Sequence, residues 1–479
     1  MSALEPSSET RQGKMLGARP DFLLVVILGL TLIRGVLYAS VVPPWQTPDE
    51  PKHFEYVALL QDKGRLISHE DADPVLQREI ISSMRSYDFW KFGYANGPEA
   101  TSRSFQDIWK DSPTQLHRPP LYYLIVSPFY RLALDMPVDF QLYVVRLVSV
   151  HLGVLTVLMV FLAARTIFPR DRLVPLAAAG FVAFLPTHTF VTGSANSDNL
   201  ANLLAAALAY SMARVFREGS SAARILGILV LMAAGIWTKR TTAFSLPLMV
   251  LAGPLYLIGG RFRRSIWAVL GGGVLAMAAV AAAAAASDGV KRSFQWVLDR
   301  YIFNYSADLS LARFQESGYT IEDLVERHSG LSLRMLDSFW AQFGWMNVRL
   351  DGIWYDFLGA MGLLSVVGLL LWVVRLTIGR ERVAAWQVKI LGLYVLWIVL
   401  IVSITLMQYT LEYSGPSYPQ GRYLFPAIVP IAALFILGIK NLSPRGLQPL
   451  ILCATVAAFF LIDSLALLLY ILPFYYQPL

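Results

Sequence analysis

The sequence predicts an all-α polytopic membrane protein, and three observations carry that prediction. Hydrophobic residues make up 56% of the 479 and charged residues only 15%, against about 25% charge in an ordinary soluble chain. Mean hydropathy is +0.52. Apolar runs recur along the whole chain, and in a bilayer only helices or closed barrels satisfy their own backbone. The formal net charge of +7 does not indicate nucleic acid, because the Lys and Arg lie in short loops between apolar runs, as the positive-inside rule expects. The only cysteine, Cys453, sits in an apolar run, which excludes an intramolecular disulfide and a Cys-based metal site.

A span needs about 20 apolar residues. The polar tail 1–20 is followed by a run without a small-residue cleavage site, read as a retained helix. Spans are expected at 21–42, 140–168, 175–192, 199–217, 224–238, 241–258, 265–286, 353–375, 387–408, 423–440 and 447–471, a bundle of about 11 transmembrane helices. The basic loops (Arg11, Lys14 and Arg19; Arg170 and Arg172; Arg214, Arg217 and Arg224; Arg261, Arg263 and Arg264; Arg375, Arg380, Arg382 and Lys389; Lys440 and Arg445) all fall on one side if the amino terminus is cytoplasmic and segment 119–134 does not cross. That segment is therefore expected to lie at the interface. The chain then divides into the tail 1–20, a transmembrane module 21–286 with a large first extracytoplasmic loop of amphipathic helices at 43–139, a second outer loop 287–352, and carboxyl-terminal transmembrane helices 353–479.

Four polar clusters fall at outer helix ends. The first is Pro48-Asp49-Glu50-Pro51-Lys52-His53. Carboxylates near a bilayer are costly unless they face water or a partner, and Pro48 can open a helix whose N-terminus favours the ionised form. An ionised carboxylate beside an acceptor hydroxyl is what a general base requires. The alternative is a pair that only caps a surface helix. His53, four residues after Asp49, shares its helical face. The second cluster is His117-Arg118-Pro119-Pro120-Leu121-Tyr122-Tyr123, suited to a lipid phosphate or a sugar hydroxyl, or to headgroup anchoring. The third, Gly193 to Asn199, includes Asp198 and Asn199 and offers hydrogen-bonding groups or helix caps. The fourth is Gln420-Gly421-Arg422-Tyr423. An arginine at an outer helix end runs against the positive-inside bias, and its guanidinium suits phosphate. Lys239 and Arg240 are further candidates for that anion. The aromatic stretch Phe339 to Asn347 either anchors at the interface or lines a sugar site.

With these residues in view, the chain resembles the GT-C superfamily of polyprenyl-phosphate-sugar-dependent glycosyltransferases, and more closely a bacterial family of polytopic membrane proteins known mainly as a domain of unknown function. The resemblance runs through Pro43-Pro44 to His53, Arg118 to Tyr123, Arg146-Leu147-Val148-Ser149, Asn196 to Asn199, Phe343-Gly344-Trp345 and Gln420 to Tyr423. It implies a GT-C-like bundle in a bacterial inner membrane, with the active site extracytoplasmic. It implies Asp49 as the catalytic acid of the first outer loop, Glu50 as a second acid, and Asp198 as the acid of the next outer loop. It implies donor-phosphate binding by Arg422, Arg240, Lys239 and Arg118. The chain lacks a large soluble carboxyl-terminal domain and the sequon-reading motif of the oligosaccharyltransferase branch.

The reaction so implied is inverting transfer of a sugar from a polyprenyl-phosphate donor to an acceptor hydroxyl on a glycan, lipid or protein. Substrate contacts are expected from His53, His117, Tyr122, Asp198, Asn199, Trp345, Gln420 and Tyr423, with Trp45, Tyr122 and Trp345 stacking on sugar faces. A divalent metal ion (Mg or Mn) is left open, with Asp49, Glu50 and His53 as its ligands. The oligomeric state is open as well. The competing readings are a transporter or flippase of lipid-linked glycans, which would place polar groups near the bilayer midplane, and a non-catalytic subunit of an envelope polysaccharide complex.

Overall fold

A helix that is apolar on every side must face lipid or other apolar helices, and much of this chain folds into helices of that kind. A computed structural model describes residues 22–92, 104–109, 114–257, 330, 333–381, 383–411 and 420–476. Among the described residues, six helical stretches are long and apolar enough to cross a membrane: Phe22–Val41, Val138–Ile167, Gly352–Thr377, Ala385–Leu406, Gly421–Leu442 and Arg445–Tyr476. A seventh is the pair Leu173–Ala183 and Pro186–Thr192, bent by 63°. The bend falls at Pro186, which cannot donate to the preceding turn and restarts the helix at its N-terminus. We label these helices α1 (Phe22–Val41), α2 (Glu50–Lys63), α3 (Pro74–Ser86), α4 (Leu121–Tyr130), α5 (Val138–Ile167), α6 (Leu173–Ala183), α7 (Pro186–Thr192), α8 (Asp198–Glu218), α9 (Ala222–Thr238), α10 (Ser245–Leu257), α11 (Gly352–Thr377), α12 (Ala385–Leu411), α13 (Ile428–Leu442), α14 (Gln448–Leu465) and α15 (Leu472–Tyr476).

The expected count of about 11 spans is thus not reached among the described residues. The span expected at 199–217 is a helix, α8, but Asp198, Asn199, Asn202, Arg214, Arg217 and Glu218 leave it too polar to count as a span. The expected span 224–238 is a 17-residue apolar helix, α9. The run 241–258 splits into a 3₁₀ turn, Arg240–Phe244, and the 13-residue α10. The expected span 265–286 and the tail 1–20 lie outside the described residues, as do most of the second outer loop and the loop residues 93–103 and 110–113. Segment 119–134 forms α4, ten residues or about 15 Å long, too short to cross. It packs between α2 and α5 with Tyr122, Tyr123, Val126 and Tyr130 buried.

Close helix crossings hold the bundle. On α11 and α13, Gly368 and Gly438 meet so tightly that a Cβ on Gly368 would stand 1.9 Å from the Gly438 carbonyl oxygen. Small residues allow this approach where no hydrophobic force drives helices together in lipid. Within the bilayer Arg34 of α1 pairs with Asp463 of α14, whose Oδ1 also accepts from the Tyr38 hydroxyl at 2.7 Å. This buried ion pair joins the first and last spans.

The segment between α1 and α5 builds its own aromatic core around Trp45, Phe54, Tyr56, Phe89, Phe105, Trp109, Tyr122 and Tyr123, continuous with Leu142, Val145 and Leu152 of α5. It is therefore seated on the bundle. Its lock is the ion pair of Glu50 and Arg146, both fully buried. Arg146 Nε donates to Glu50 Oε1 at 2.8 Å and Nη2 to Oε2 at 2.6 Å. Its remaining donors go to the carbonyls of Ala39, Val42 and Pro43 at 2.6–3.0 Å, which caps the orphan end of α1. Glu50 also accepts from the backbone N–H of Trp45 and of Ala195, each at 3.1 Å. Every donor of the guanidinium is used, which is the condition for a buried charge pair to be tolerated.

Removing one partner should leave the other charge buried and unpaired, at a cost of about 3–5 kcal/mol. Glu50→Ala and Arg146→Met are expected to lower the apparent melting temperature in detergent sharply. Glu50→Ala combined with Arg146→Met should be destabilised by less than the sum of the singles. Additive losses would show that the pair is not the lock.

Candidate active site

Asp49 is where the lock becomes chemistry. It stands at the N-cap of α2, yet its backbone is left-handed (φ 67°) and its side chain makes no capping hydrogen bond. Trp45 is left-handed too, at φ 72°. Such conformations cost about 1–2 kcal/mol for a residue with a side chain, and here the bond from Trp45 N–H to Glu50 supports the turn. The Asp49 carboxylate thus turns away from its own helix. It meets Arg422, whose Nη2 lies 3.2 Å from Asp49 Oδ2. Arg422 Nε lies 3.9 Å from Asp198 Oδ2, and Asp198 pairs with Lys239 through its other oxygen. Lys239, Asp198, Arg422 and Asp49 form a row of alternating charge, drawn from the end of α9, the start of α8, the 3₁₀ turn Gly421–Ala427 before α13, and the start of α2.

Each member has a local reason to be there. Asn196 Oδ1 accepts the Asp198 N–H at 2.9 Å, so Asn196 caps the helix and frees the Asp198 carboxylate. Gly421 packs so closely on the segment 333–340 that a Cβ would lie 2.0 Å from Phe339 N. Its N–H donates to Ser338 Oγ at 2.8 Å, fixing the turn that carries Arg422. Arg422 and Lys239 both lie over the Tyr423 ring, at 5.5 and 6.0 Å.

Burial alone would raise the Asp49 pKa, but Arg422, Lys52, Arg118 and His53 outweigh it and hold the carboxyl far below its usual range. Asp49 is ionised at any physiological pH. His53 is driven the other way: burial, with Arg118 and Lys239 adding to it, lowers it to about 3 against the pull of Asp49 and Asp198. Its imidazole is neutral, and its Nδ1 lies 2.8 Å from the Tyr123 hydroxyl. Lys52, buried on α2, is lowered by burial while Asp49 and Glu55 oppose that shift. Lys52 and Arg118 bring two further positive charges to bear on Asp49.

Of the expected site residues, Asp49, Asp198, Lys239, Arg422 and Tyr423 come together, and Arg118 acts on the same carboxylate. Gln420 lines an adjoining cleft. Arg240 opens the turn after Lys239, half-buried. Other expectations are corrected. Glu50 does not face substrate, because all its accepting capacity is spent on Arg146 and two backbone N–H groups. Tyr122 is fully buried with its hydroxyl 2.9 Å from Ser149 Oγ. Trp45 is also fully buried. Trp345 donates to the Trp45 carbonyl at 3.1 Å and packs on Phe89 and Trp109, so it ties the hairpin of β1 (Gln342–Phe343) and β2 (Val348–Arg349) to the first loop. Asn199 braces the Val191 and Ser194 carbonyls, each at 3.1 Å. His117 stacks on His69 at 4.7 Å. The metal set Asp49, Glu50 and His53 does not assemble, since Glu50 faces Arg146 and His53 faces Tyr123. Among the described residues no three His, Cys, Asp or Glu side chains gather as metal ligands. The position bridging Asp49 and Asp198 holds the Arg422 guanidinium.

The residues that spacing missed are Lys52, Thr187, Ser338 and Gln342. Only Lys52 left a signal, lying one helical turn after Asp49. The others reach the site through the bend at Pro186 and the hairpin.

A family model for predicted membrane proteins, DUF2142, matches residues 32–432, and the chain belongs to that family. A search of the curated proteins finds no match. Among solved structures the chain is similar to the oligosaccharyltransferase of Archaeoglobus fulgidus in the apo form, at 12% identity and a TM-score of 0.46, over 95% of this chain and 56% of that one. It is similar to ArnT from Cupriavidus metallidurans bound to undecaprenyl phosphate, at 15% identity and 0.43, over 93% and 65%. It is similar again to the Archaeoglobus enzyme tethered to an acceptor peptide containing the NVT sequon, at 11% and 0.45, over 95% and 55%. The chain therefore spans less than two thirds of the length of each.

One titration is set by this neighbourhood. Burial raises Glu55 to about 7, although the Gln77 hydrogen bond and Lys52 pull it down. A raised carboxyl favours the folded state while protonated. That contribution is fully present below about pH 4.5 and is lost as pH rises through 7, by about 3 kcal/mol. Relative to Glu55→Gln, which lacks this titration, the wild type should lose stability as pH rises from 5 to 8. An equal slope in both proteins would refute the assignment.

Proposed function

We propose that this protein transfers a sugar from a polyprenyl-phosphate donor to an acceptor hydroxyl at the extracytoplasmic membrane face, with inversion at the anomeric carbon. The observation that carries the reading is the salt bridge of Arg422 to Asp49. An anion-binding guanidinium and an ionised carboxylate, brought from opposite ends of the chain, share one site at the end of a membrane bundle. An apolar cleft lined by Leu204, Leu208, Leu231, Met232 and Phe244 adjoins the Lys239 end of the row. It supports a lipid-borne donor whose phosphate meets Lys239, Arg240, Arg422, Arg118 and Lys52.

Asp49 in its resting state is a weak base, because Arg422 holds its charge. A donor phosphate competes for that guanidinium. As Arg422 turns to the phosphate, Asp49 loses its strongest stabilising neighbour and its proton affinity rises toward the range useful in general-base catalysis. Asp49 then takes the proton of the acceptor hydroxyl. The new C–O bond forms at the anomeric carbon as its bond to the phosphate oxygen breaks, and the electron pair leaves with polyprenyl phosphate. The surrounding cations stabilise the developing charge. A divalent ion has no part in this scheme, since the guanidinium stands between the carboxylates that would hold one.

The test uses purified protein in nanodiscs with a panel of polyprenyl-phosphate sugars and reads released polyprenyl phosphate. Asp49→Asn should fold normally and lose about 10²–10⁴-fold in rate. Normal turnover by that variant would sink the reading. Transfer should also survive EDTA, and a loss restored by Mg or Mn would show that the guanidinium does not replace a metal.

A further inference from the structure

The row of charges separates two clefts of opposite character. The one at the Lys239 end is apolar. The one at the Arg422–Asp49 end lies between α7, the β1–β2 hairpin and the Gln420–Arg422 turn, beginning at Pro48. Its polar walls are Thr187, Ser194, Ser338, Gln342 and Gln420, and among the described residues Arg422 is its one ionisable lining residue.

We propose that this second cleft is the acceptor subsite and that it takes an uncharged carbohydrate, presenting a hydroxyl to Asp49. The proposal rests on the transferase reading above and names its acceptor class. The carboxamides of Gln342 and Gln420 supply donors and acceptors. The Ser194 and Ser338 hydroxyls, which donate to the Val191 and Met335 carbonyls, offer acceptor sites, and none of these groups carries net charge. A ligand carrying phosphate, carboxylate or ammonium would need a counter-charge on desolvation. Arg422, shared at rest between Asp49 and Asp198, is taken by the donor phosphate in the transferase reading and is not left over for an acidic acceptor. Apart from Asp49, which acts as the base, no carboxylate stands among the described residues of the cleft to receive an amino sugar. The walls are held in place by their own bonds: Gln342 N–H donates to Thr187 Oγ1 at 3.1 Å, and Gln342 Nε2 donates to the Met346 carbonyl at 2.6 Å. The Gln342 carboxamide oxygen is left to accept from a sugar hydroxyl. Phe190, Val191 and Met346 complete the lining and match the C–H face of a pyranose ring. Asp49 follows Pro48, a lining residue of this cleft, and pairs with Arg422, another, so an acceptor held here lies beside the base.

The experiment measures release of polyprenyl phosphate by the wild type in nanodiscs with four acceptor sets: neutral trisaccharides (maltotriose, chitotriose, mannotriose), trigalacturonate, a glucosamine trimer, and a Ser/Thr peptide. A neutral trisaccharide should accelerate release about tenfold or more, and Gln342→Ala and Gln420→Ala should each raise its KM about tenfold. Acceleration by the charged sugars or the peptide in its place, or release that no acceptor accelerates, overturns the acceptor class and leaves the transferase reading standing. Absence of release from every donor overturns the transferase reading instead. Tryptophan fluorescence then decides the cleft separately. Binding of a neutral trisaccharide weakened about tenfold by Gln420→Ala supports the subsite, and no binding, or binding indifferent to that substitution, overturns it.

Discussion

Everything at the polar end of this bundle depends on one buried arginine. Arg146 sits on α5, takes both oxygens of Glu50, and closes the end of α1 through three carbonyls. The same Glu50 reaches back to Trp45 and across to Ala195. Three pieces of chain distant in sequence, 39–50, Arg146 and Ala195, therefore share one hydrogen-bond network, with no donor of the guanidinium left over. A fully used network of this kind is rigid, because any single movement exposes a buried charge. That rigidity holds Asp49 in a left-handed conformation its own residue type disfavours and points its carboxylate off the helix.

The carboxylate so presented does not stand alone. Asp49 and Asp198 alternate with Arg422 and Lys239, and the four charges of the row cancel. Their cationic neighbours hold Asp49 and Asp198 below the usual carboxylate range against the cost of burial. This pairing also makes the row responsive: an incoming anion changes what Arg422 sees, and a change at Arg422 is felt at Asp49. The neutral His53 does not dilute this coupling, since burial and its cationic neighbours strip its proton. The bend at Pro186 and the tight turn at Gly421 shape the cleft beside Arg422, where hydroxyls and amides stand among apolar side chains, and a more apolar cleft adjoins the Lys239 end.

Much of this was written in the residues. The membrane helices follow from apolar runs, and Asp49, Asp198, Lys239 and Arg422 could be singled out because charge at a bilayer surface needs a purpose. Their assignment to one end followed from loop charges, and the structure does bring them together. The adjacent Glu50 misled, since two neighbouring carboxylates look equivalent in a sequence. They differ because successive residues at a helix start point in different directions, and only Arg146, 96 residues on, decides which is buried. The tryptophans and Tyr122 misled for a similar reason: an aromatic side chain serves a core as readily as a sugar face. Thr187, Ser338 and Gln342 carry no signal of their own, being ordinary polar residues made important by a bend and a hairpin.

The sequence by itself determined the helical membrane architecture, the existence of a polar end, and the charged residues available there. These depend on composition and period, which are local properties of the chain. The tertiary structure decided which carboxylate is locked and which is presented, which cation pairs with which acid, and where the two clefts open. Those outcomes are set by distances between residues up to 373 positions apart. Electrostatic pairing and desolvation act through space, so no reading of neighbours along the chain could supply them.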